Sequence, residues 1–332
     1  MKCIRLHLPL LLVCACLLGL CACNRFDTMD SETTDETSKT EPAQTEVPTN
    51  PHSESFTPEQ TQPEIDLDSQ WNGDGALKIL CIGNSFSVDS MEYLYGILKD
   101  MGVENIKLGN LTISGCSLNM HLSNAKNDTA DYLYSVNTHG TWTTTRENVL
   151  SKVVKSDNWD YISIQQASHD SGMSGTYRRL PDFIELLQPM CPGAQLVWNM
   201  TWAYQQDATH EAFPKYDSDQ ITMYQMIASS VHEKVLGDAA MQLVIPCGTA
   251  IQNARAGWLG DTLTRDGFHL SNTGRYIAAL TFAHALTGKS IENVTYLPEG
   301  VPAAEKELAI EAAMLAVQKP FEISVPLAQA PQ

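Results

Sequence analysis

Leu77-Lys78-Ile79-Leu80-Cys81-Ile82-Gly83-Asn84-Ser85-Phe86 is an almost wholly apolar run that breaks at a Gly-Asn-Ser turn. Lys78 to Ile82 reads as a buried strand, a short apolar run bounded by turn residues. Met91, Leu94, Tyr95, Leu98 and Met101 then recur at helical spacing, so the turn leads from strand to helix. The alternation continues. Ile106 to Ile113, Tyr161 to Ile164, Gln195 to Met200 and Met241 to Ile245 read as further strands. Helical patterns around Asn148 to Lys155, Pro181 to Leu187, Ile221 to Leu236 and Tyr276 to Leu286 lie between or after them. Strands separated by helices pair in parallel through right-handed crossovers. The expected fold is α/β, a three-layer α/β/α sandwich around a mostly parallel sheet of five strands.

Two stretches break the rhythm. Residues 117–147 are polar and carry Tyr132, Tyr134 and Trp142 around Asn137-Thr138-His139-Gly140, which predicts a hairpin or an excursion above the sheet. Residues 201–220 are loop-rich, with Trp202 and Tyr204 near their start.

The N-terminus has Lys2 and Arg5, an apolar stretch from Leu6 to Leu20, and then Leu20-Cys21-Ala22-Cys23. That order is an export signal, too short to favour a permanent membrane helix. Leucine three positions before a cysteine and alanine just before it match the bacterial lipoprotein cleavage box, so Cys23 is the expected lipidated residue. Val13-Cys14-Ala15-Cys16 is a second box that would cut the apolar region short. Between residues 24 and 70 there are 12 acidic and 2 basic residues and few large apolar ones. Such a segment cannot bury enough surface to offset chain entropy and is expected to be a disordered tether. The predicted division is therefore 1–22 signal, 23–70 tether, 71–318 catalytic domain and 319–332 tail. A formal net charge of −18 argues against nucleic acid as a partner. The expected contacts are a membrane, through the lipid on Cys23, and a small substrate. Beyond the signal and Cys23, the chain has Cys81, Cys116, Cys191 and Cys247. Outside the cytoplasm these permit disulfides, but Cys81 and Cys247 fall in apolar runs where a free thiol packs as a small hydrophobe. No spacing resembles a zinc site, and no metal or cofactor is expected.

In an open parallel sheet, ligands bind beyond the carboxyl ends of the strands. Ser85, Ser114-Gly115, Gln165-Gln166 and Thr201-Trp202 each follow a predicted strand, so all four stations fall on one edge. Ser85 alone reads more readily as a helix cap than as a nucleophile. Far downstream, Asp266-Gly267-Phe268-His269 puts a carboxylate three residues before an imidazole. A serine needs such a base to attack at neutral pH, and the base needs a partner to hold its tautomer. Together they read as the nucleophile, base and orienting acid of a serine hydrolase.

Gly83-Asn84-Ser85 after the first strand, Gly115 after the second, and Asp266-x-x-His269 followed by Leu270-Ser271 and Gly274-Arg275-Tyr276 resemble the SGNH (GDSL-type) hydrolases over roughly Leu77 to Leu286. Gly115-Cys116-Ser117-Leu118, Trp159-Asp160-Tyr161 with Gln165-Gln166-Ala167-Ser168, and Ile245-Pro246-Cys247-Gly248 resemble a little-characterised branch found in bacterial surface proteins. The resemblance implies Ser85 as nucleophile, His269 as general base and acid, and Asp266 as its orienting partner. It implies an oxyanion hole from the Ser85 and Gly115 N–H groups plus a side-chain amide. The usual asparagine is missing at that third station; Gln165, or alternatively Gln166, is the expected substitute. Asn84 replaces the aspartate of the family's best-known form. His121, Trp202 and Tyr204 are the expected substrate contacts, with His169 a further histidine near the edge. The implied activity is ester hydrolysis, on O-acetyl groups of carbohydrate. The alternatives are a catalytically silent glycan-binding lipoprotein and a lipase or thioesterase of the same fold.

Overall fold

The computed structural model describes Trp71, Gly73 and residues 75–331. The signal, Cys23 and the tether lie outside the described residues. Strand β1 (Ala76–Gly83) is buried without a break from Ile79 onward, as expected of a strand covered on both faces. It ends in the turn that starts α1 (Ser85–Met91), followed by α2 (Leu94–Asp100) and β2 (Asn105–Thr112). Next come α3 (Leu118–Lys126), β3 (Tyr132–Asn137), β4 (Trp142–Asn148), α4 (Leu150–Val154) and β5 (Tyr161–Ile164). Then follow α5 (Leu180–Leu187), β6 (Gln195–Asn199), α6 (Gln220–Lys234), β7 (Met241–Ile245), α7 (Cys247–Ala256), α8 (Asn272–Thr287) and α9 (Lys306–Gln318).

The sheet has seven strands in the order β4-β3-β2-β1-β5-β6-β7. β2, β1, β5, β6 and β7 run parallel, and they are the five strands read from the apolar runs. The count of five is corrected by β3 and β4, an antiparallel hairpin added at the β2 edge. Residues 132–148 thus extend the sheet instead of rising above it. Their polarity reflects the edge: β4 is exposed along nearly its whole length, and Ser135 and Thr144 pair their hydroxyls across the hairpin at 2.8 Å. The single first helix expected through Met101 is two short ones, α1 and α2. Helices α1, α2, α7, α8 and α9 pack together in one layer, and α3 packs on α4 and α5 in the other, giving the α/β/α sandwich.

After α9 the chain runs without regular structure along α7 and α9. Ser324 N–H donates to Asn253, and the N–H groups of Leu327 and Ala328 donate to the Glu311 carboxylate. Cys81, Cys116, Cys191 and Cys247 are all free and buried. Burial pushes the thiols of Cys81 and Cys116 up to about 12, so neither supplies a thiolate nucleophile at neutral pH. Among the described residues no helix is long and apolar enough to cross a membrane.

Candidate active site

The turn after β1 is built by close approach. A side chain at Gly83 would put its Cβ 2.8 Å from Ser87 Oγ and 3.0 Å from the Gln165 amide, so only glycine fits. Asn84 is extended and is the N-cap of α1: its Oδ1 accepts from Phe86 N–H at 2.9 Å. Its carbonyl accepts from Ser87 and Val88 N–H. Asn84 therefore does the capping, and the Ser85 hydroxyl is left for another partner. Ser85 is the first helical residue, so its N–H has no intrahelical acceptor.

That partner comes from a small turn whose stem is closed by a Thr264–Leu270 bridge and by Ser271 N–H donating to Leu263 O. Arg265 N–H also donates to His269 O. At its tip, Asp266 Oδ1 accepts from the N–H groups of His269 (2.8 Å) and Phe268 (3.2 Å), while Oδ2 lies 2.6 Å from His269 Nδ1. His269 Nε2 is 2.8 Å from Ser85 Oγ. A carboxylate only accepts, so Nδ1 carries the proton and Nε2 is free to take the one on Ser85. Burial draws the Asp266 carboxyl upward, but the hydrogen bonds from the His269 ring, from the His269 and Phe268 amides, and the charge of His269 outweigh it. The net shift is below the ordinary value, which keeps Asp266 ionised at neutral pH.

Gly267 sits at φ +92, and a Cβ there would stand 3.1 Å from the Ala208 backbone. Its carbonyl accepts from Gln205 N–H at 2.7 Å, which joins this turn to the loop after β6. Gly115 sits at φ +60 with open space where a side chain would be, and its N–H meets no backbone acceptor. Asn84 Nδ2 donates to Cys116 O at 3.2 Å, linking the Ser85 turn to the glycine loop.

Ser85, His269 and Asp266 are thus brought together, and other expected contacts are not. Gln165 is buried and turned inward: Nε2 donates to Asn84 Oδ1 (3.1 Å) and Oε1 accepts from Asn199 Nδ2 (3.2 Å). It braces the turn from below instead of serving as a free third donor. Gln166 is equally committed, accepting from Leu118 and Ala167 N–H and donating to Thr176. His121 does not line a pocket. It is buried between Tyr132 and Phe183, with Nδ1 3.0 Å from the Tyr132 hydroxyl. Trp202 is fully buried too. It stacks on Phe86 at 4.3 Å and donates its indole N–H to Phe268 O at 2.8 Å. Tyr204 is buried with its hydroxyl 3.0 Å from Ser168 Oγ. These aromatic rings frame the site from within and offer no open face to a sugar. His169 lies part-exposed beside Asp170 at 3.6 Å.

Phe268, Asn199 and Asp89 also belong to the site, without a motif to mark them. Phe268 packs against His269 with ring centres 4.4 Å apart, and Asn199 completes the amide chain beneath the turn. Asp89 is a buried acid one turn after Ser85. The two arginines flanking the Asp266-His269 motif were the signal that such an acid exists. A polar cavity of about 270 Å³, lined by Gln205, Asp207, Thr209, Thr264 and Asp266 among others, opens beside the Asp266 carboxylate. A larger groove of about 1120 Å³ is lined by α9 and residues 327–329, but no site residue reaches it, so volume does not mark the site here. Among the described residues no group of three or more His, Cys, Asp or Glu side chains is arranged to hold a metal ion.

Serine, glycine and an Asp-x-x-His pair thus stand along one edge of a three-layer α/β/α sheet. The chain belongs to the family described as domain of unknown function DUF4886, whose model matches residues 78–316. It is similar to a DUF4886 family protein from Bacteroides uniformis of known crystal structure, with 37% identity and a TM-score of 0.73. That match covers 75% of this chain and 98% of the other. It also matches a carbohydrate esterase family 3 structure from Talaromyces cellulolyticus, at 12% identity and TM-score 0.41, over 62% of this chain and 94% of that one. A family 3 carbohydrate esterase from Clostridium thermocellum matches at 14% identity and TM-score 0.37, over 64% and 95%. No curated protein matches the chain.

Proposed function

We propose that this chain is a serine esterase that removes acyl groups, O-acetyl groups of carbohydrate in particular, by a two-step transfer through Ser85. The observation that carries the proposal is the unbroken relay from Ser85 Oγ to His269 Nε2 (2.8 Å) and from His269 Nδ1 to Asp266 (2.6 Å). His269 takes the hydroxyl proton as Ser85 Oγ bonds to the ester carbonyl carbon. The oxyanion is held by the N–H groups of Ser85 and Gly115. The carbon–oxygen bond to the alcohol breaks as His269 returns its proton to that oxygen. Water, deprotonated by the same imidazole, then attacks the acyl-serine and restores the hydroxyl. The acetyl-carbohydrate assignment rests on the expected place of the chain, a bacterial surface reached through lipid on Cys23.

Two measurements test this. The purified chain should hydrolyse an aryl acetate and be labelled by a fluorophosphonate, and Ser85→Ala should lose both; an unimpaired variant refutes the assignment. In the producing cell, Cys23→Ala should leave the membrane fraction, and its retention there would refute the anchor. A silent glycan-binding domain is the second reading, favoured by the inward-facing Gln165, which leaves the hole without a side-chain donor. Such a domain would not react with the fluorophosphonate.

A further inference from the structure

The Ser85–His269 hydrogen bond joins segments 184 residues apart, and a small relative slip of either would open it. One turn after Ser85, α1 carries the carboxylate of Asp89, which is fully buried. All its hydrogen-bond partners belong to the other half of the site. Arg265 Nη1 donates to both oxygens at 3.0 and 3.1 Å, and Arg275 Nε donates at 2.8 Å. The N–H of Leu270 donates at 2.8 Å. Arg265 Nη1 also donates to the carbonyl of Leu270. Arg265 and Leu270 are the residues on either side of the Asp266–His269 segment. A buried carboxylate cannot shed charged partners without a large desolvation penalty, so α1 and this turn are locked in register.

We propose that Asp89 is a positioning residue: by gripping both ends of the Asp266–His269 turn from the helix that begins at Ser85, it sets the distance between Ser85 Oγ and His269 Nε2. This rests on the esterase assignment above and assigns the register of that same site. Trp202, stacked on Phe86 and bonded to Phe268 O, is a second and separate tie between the same two segments, so loss of Asp89 should loosen the site without dismantling it.

The test uses the full chain with Asp89→Asn and Arg265→Met. Asparagine keeps the shape and still accepts from Leu270, but loses the charge. Arg265 is 42% exposed, so its replacement leaves a folded protein if Asp89→Asn does not. In folded variants the fluorophosphonate labelling rate and kcat should fall together by roughly 10- to 100-fold while KM stays within about twofold, the mark of lost geometry at the reacting atoms. Arg265→Lys should recover part of the rate. Labelling of folded Arg265→Met at the parent rate overturns the proposal. If the parent chain is not labelled at all, the esterase assignment fails, and the His269 imidazole ¹⁵N resonances decide the positioning role. A shift in Arg265→Met towards the spectrum of Ser85→Ala supports it, and an unchanged Nε2 signal overturns it.

Discussion

The side-chain amide of Gln165 gives both ends to the protein, Nε2 to Asn84 and Oε1 to Asn199. Removing a buried amide bonded at both ends takes away this bracing, at a cost of about 1–3 kcal/mol. Gln165→Ala should therefore lower the urea midpoint of unfolding, with activity falling through the displaced turn. An oxyanion donor would behave differently, costing about 2.7–4 kcal/mol of barrier with stability unmoved. Unchanged stability with collapsed kcat would mean that the amide swings outward to reach substrate. Asn84 is argued the same way. Its Nδ2 donates to Cys116 O, so the isosteric Asn84→Asp sets a carboxylate oxygen against a carbonyl where a donor stood. That exchange should destabilise by about 1–3 kcal/mol and slow fluorophosphonate labelling, because the same bond places the glycine loop. A variant as stable and as reactive as the parent would show that this link is dispensable.

Among the elements, the turn from Leu263 to Ser271 carries the proposed base, His269, and its shape depends on Gly267. Gly267→Ala meets two penalties at once, a left-handed φ of +92 and the Ala208 backbone 3.1 Å from the new Cβ. The left-handed conformation alone costs about 1–2 kcal/mol for a side chain, and the contact must be relieved by moving the turn. Activity should drop at least tenfold, by roughly the sensitivity expected for a displaced catalytic group. A crystal structure of the variant with His269 still 2.8 Å from Ser85 would contradict that displacement. The five parallel strands are legible because apolar residues dominate their runs, and the carboxyl-edge rule sets Ser85, Gly115 and the β5 station on one edge. The hairpin of β3 and β4 was not, since an exposed edge strand such as Trp142–Asn148 has no apolar face to display. Helix α3 escaped for another reason. Its buried residues Leu118, His121, Leu122 and Ala125 keep helical spacing, but a histidine and an alanine weaken the stripe. Residue identity picked out Ser85, Asp266 and His269, whereas the inward turn of Gln165 depends on partners from two other strand ends that no spacing rule brings together.

At the scale of the whole molecule, His121 couples acid to unfolding. It lies on α3, and its ring is stacked against Tyr132 of β3 and Phe183 of α5, at 5.7 and 6.1 Å. Its Nε2 is buried with no partner, so a proton there would be a charge without water. Burial lowers the pKa from 6.5 to about 3. Above pH 6.5 the folded and unfolded chains both hold a neutral ring, and this residue contributes nothing to the pH dependence. Below it the unfolded chain binds a proton that the folded one refuses, so stability falls as pH drops from 6.5 towards 3. At about 1.4 kcal/mol per unit, the total is on the order of a few kcal/mol, comparable to the whole stability of a marginal domain. His121→Phe keeps an aromatic ring in the stack and removes the titration. Urea unfolding of both chains at pH 4, 5, 6 and 7 should show a shallower loss in the variant, by up to one proton's worth of slope. Parallel curves would mean that the folded chain protonates His121 at its ordinary pH, which requires water to reach the α3–α5 interface.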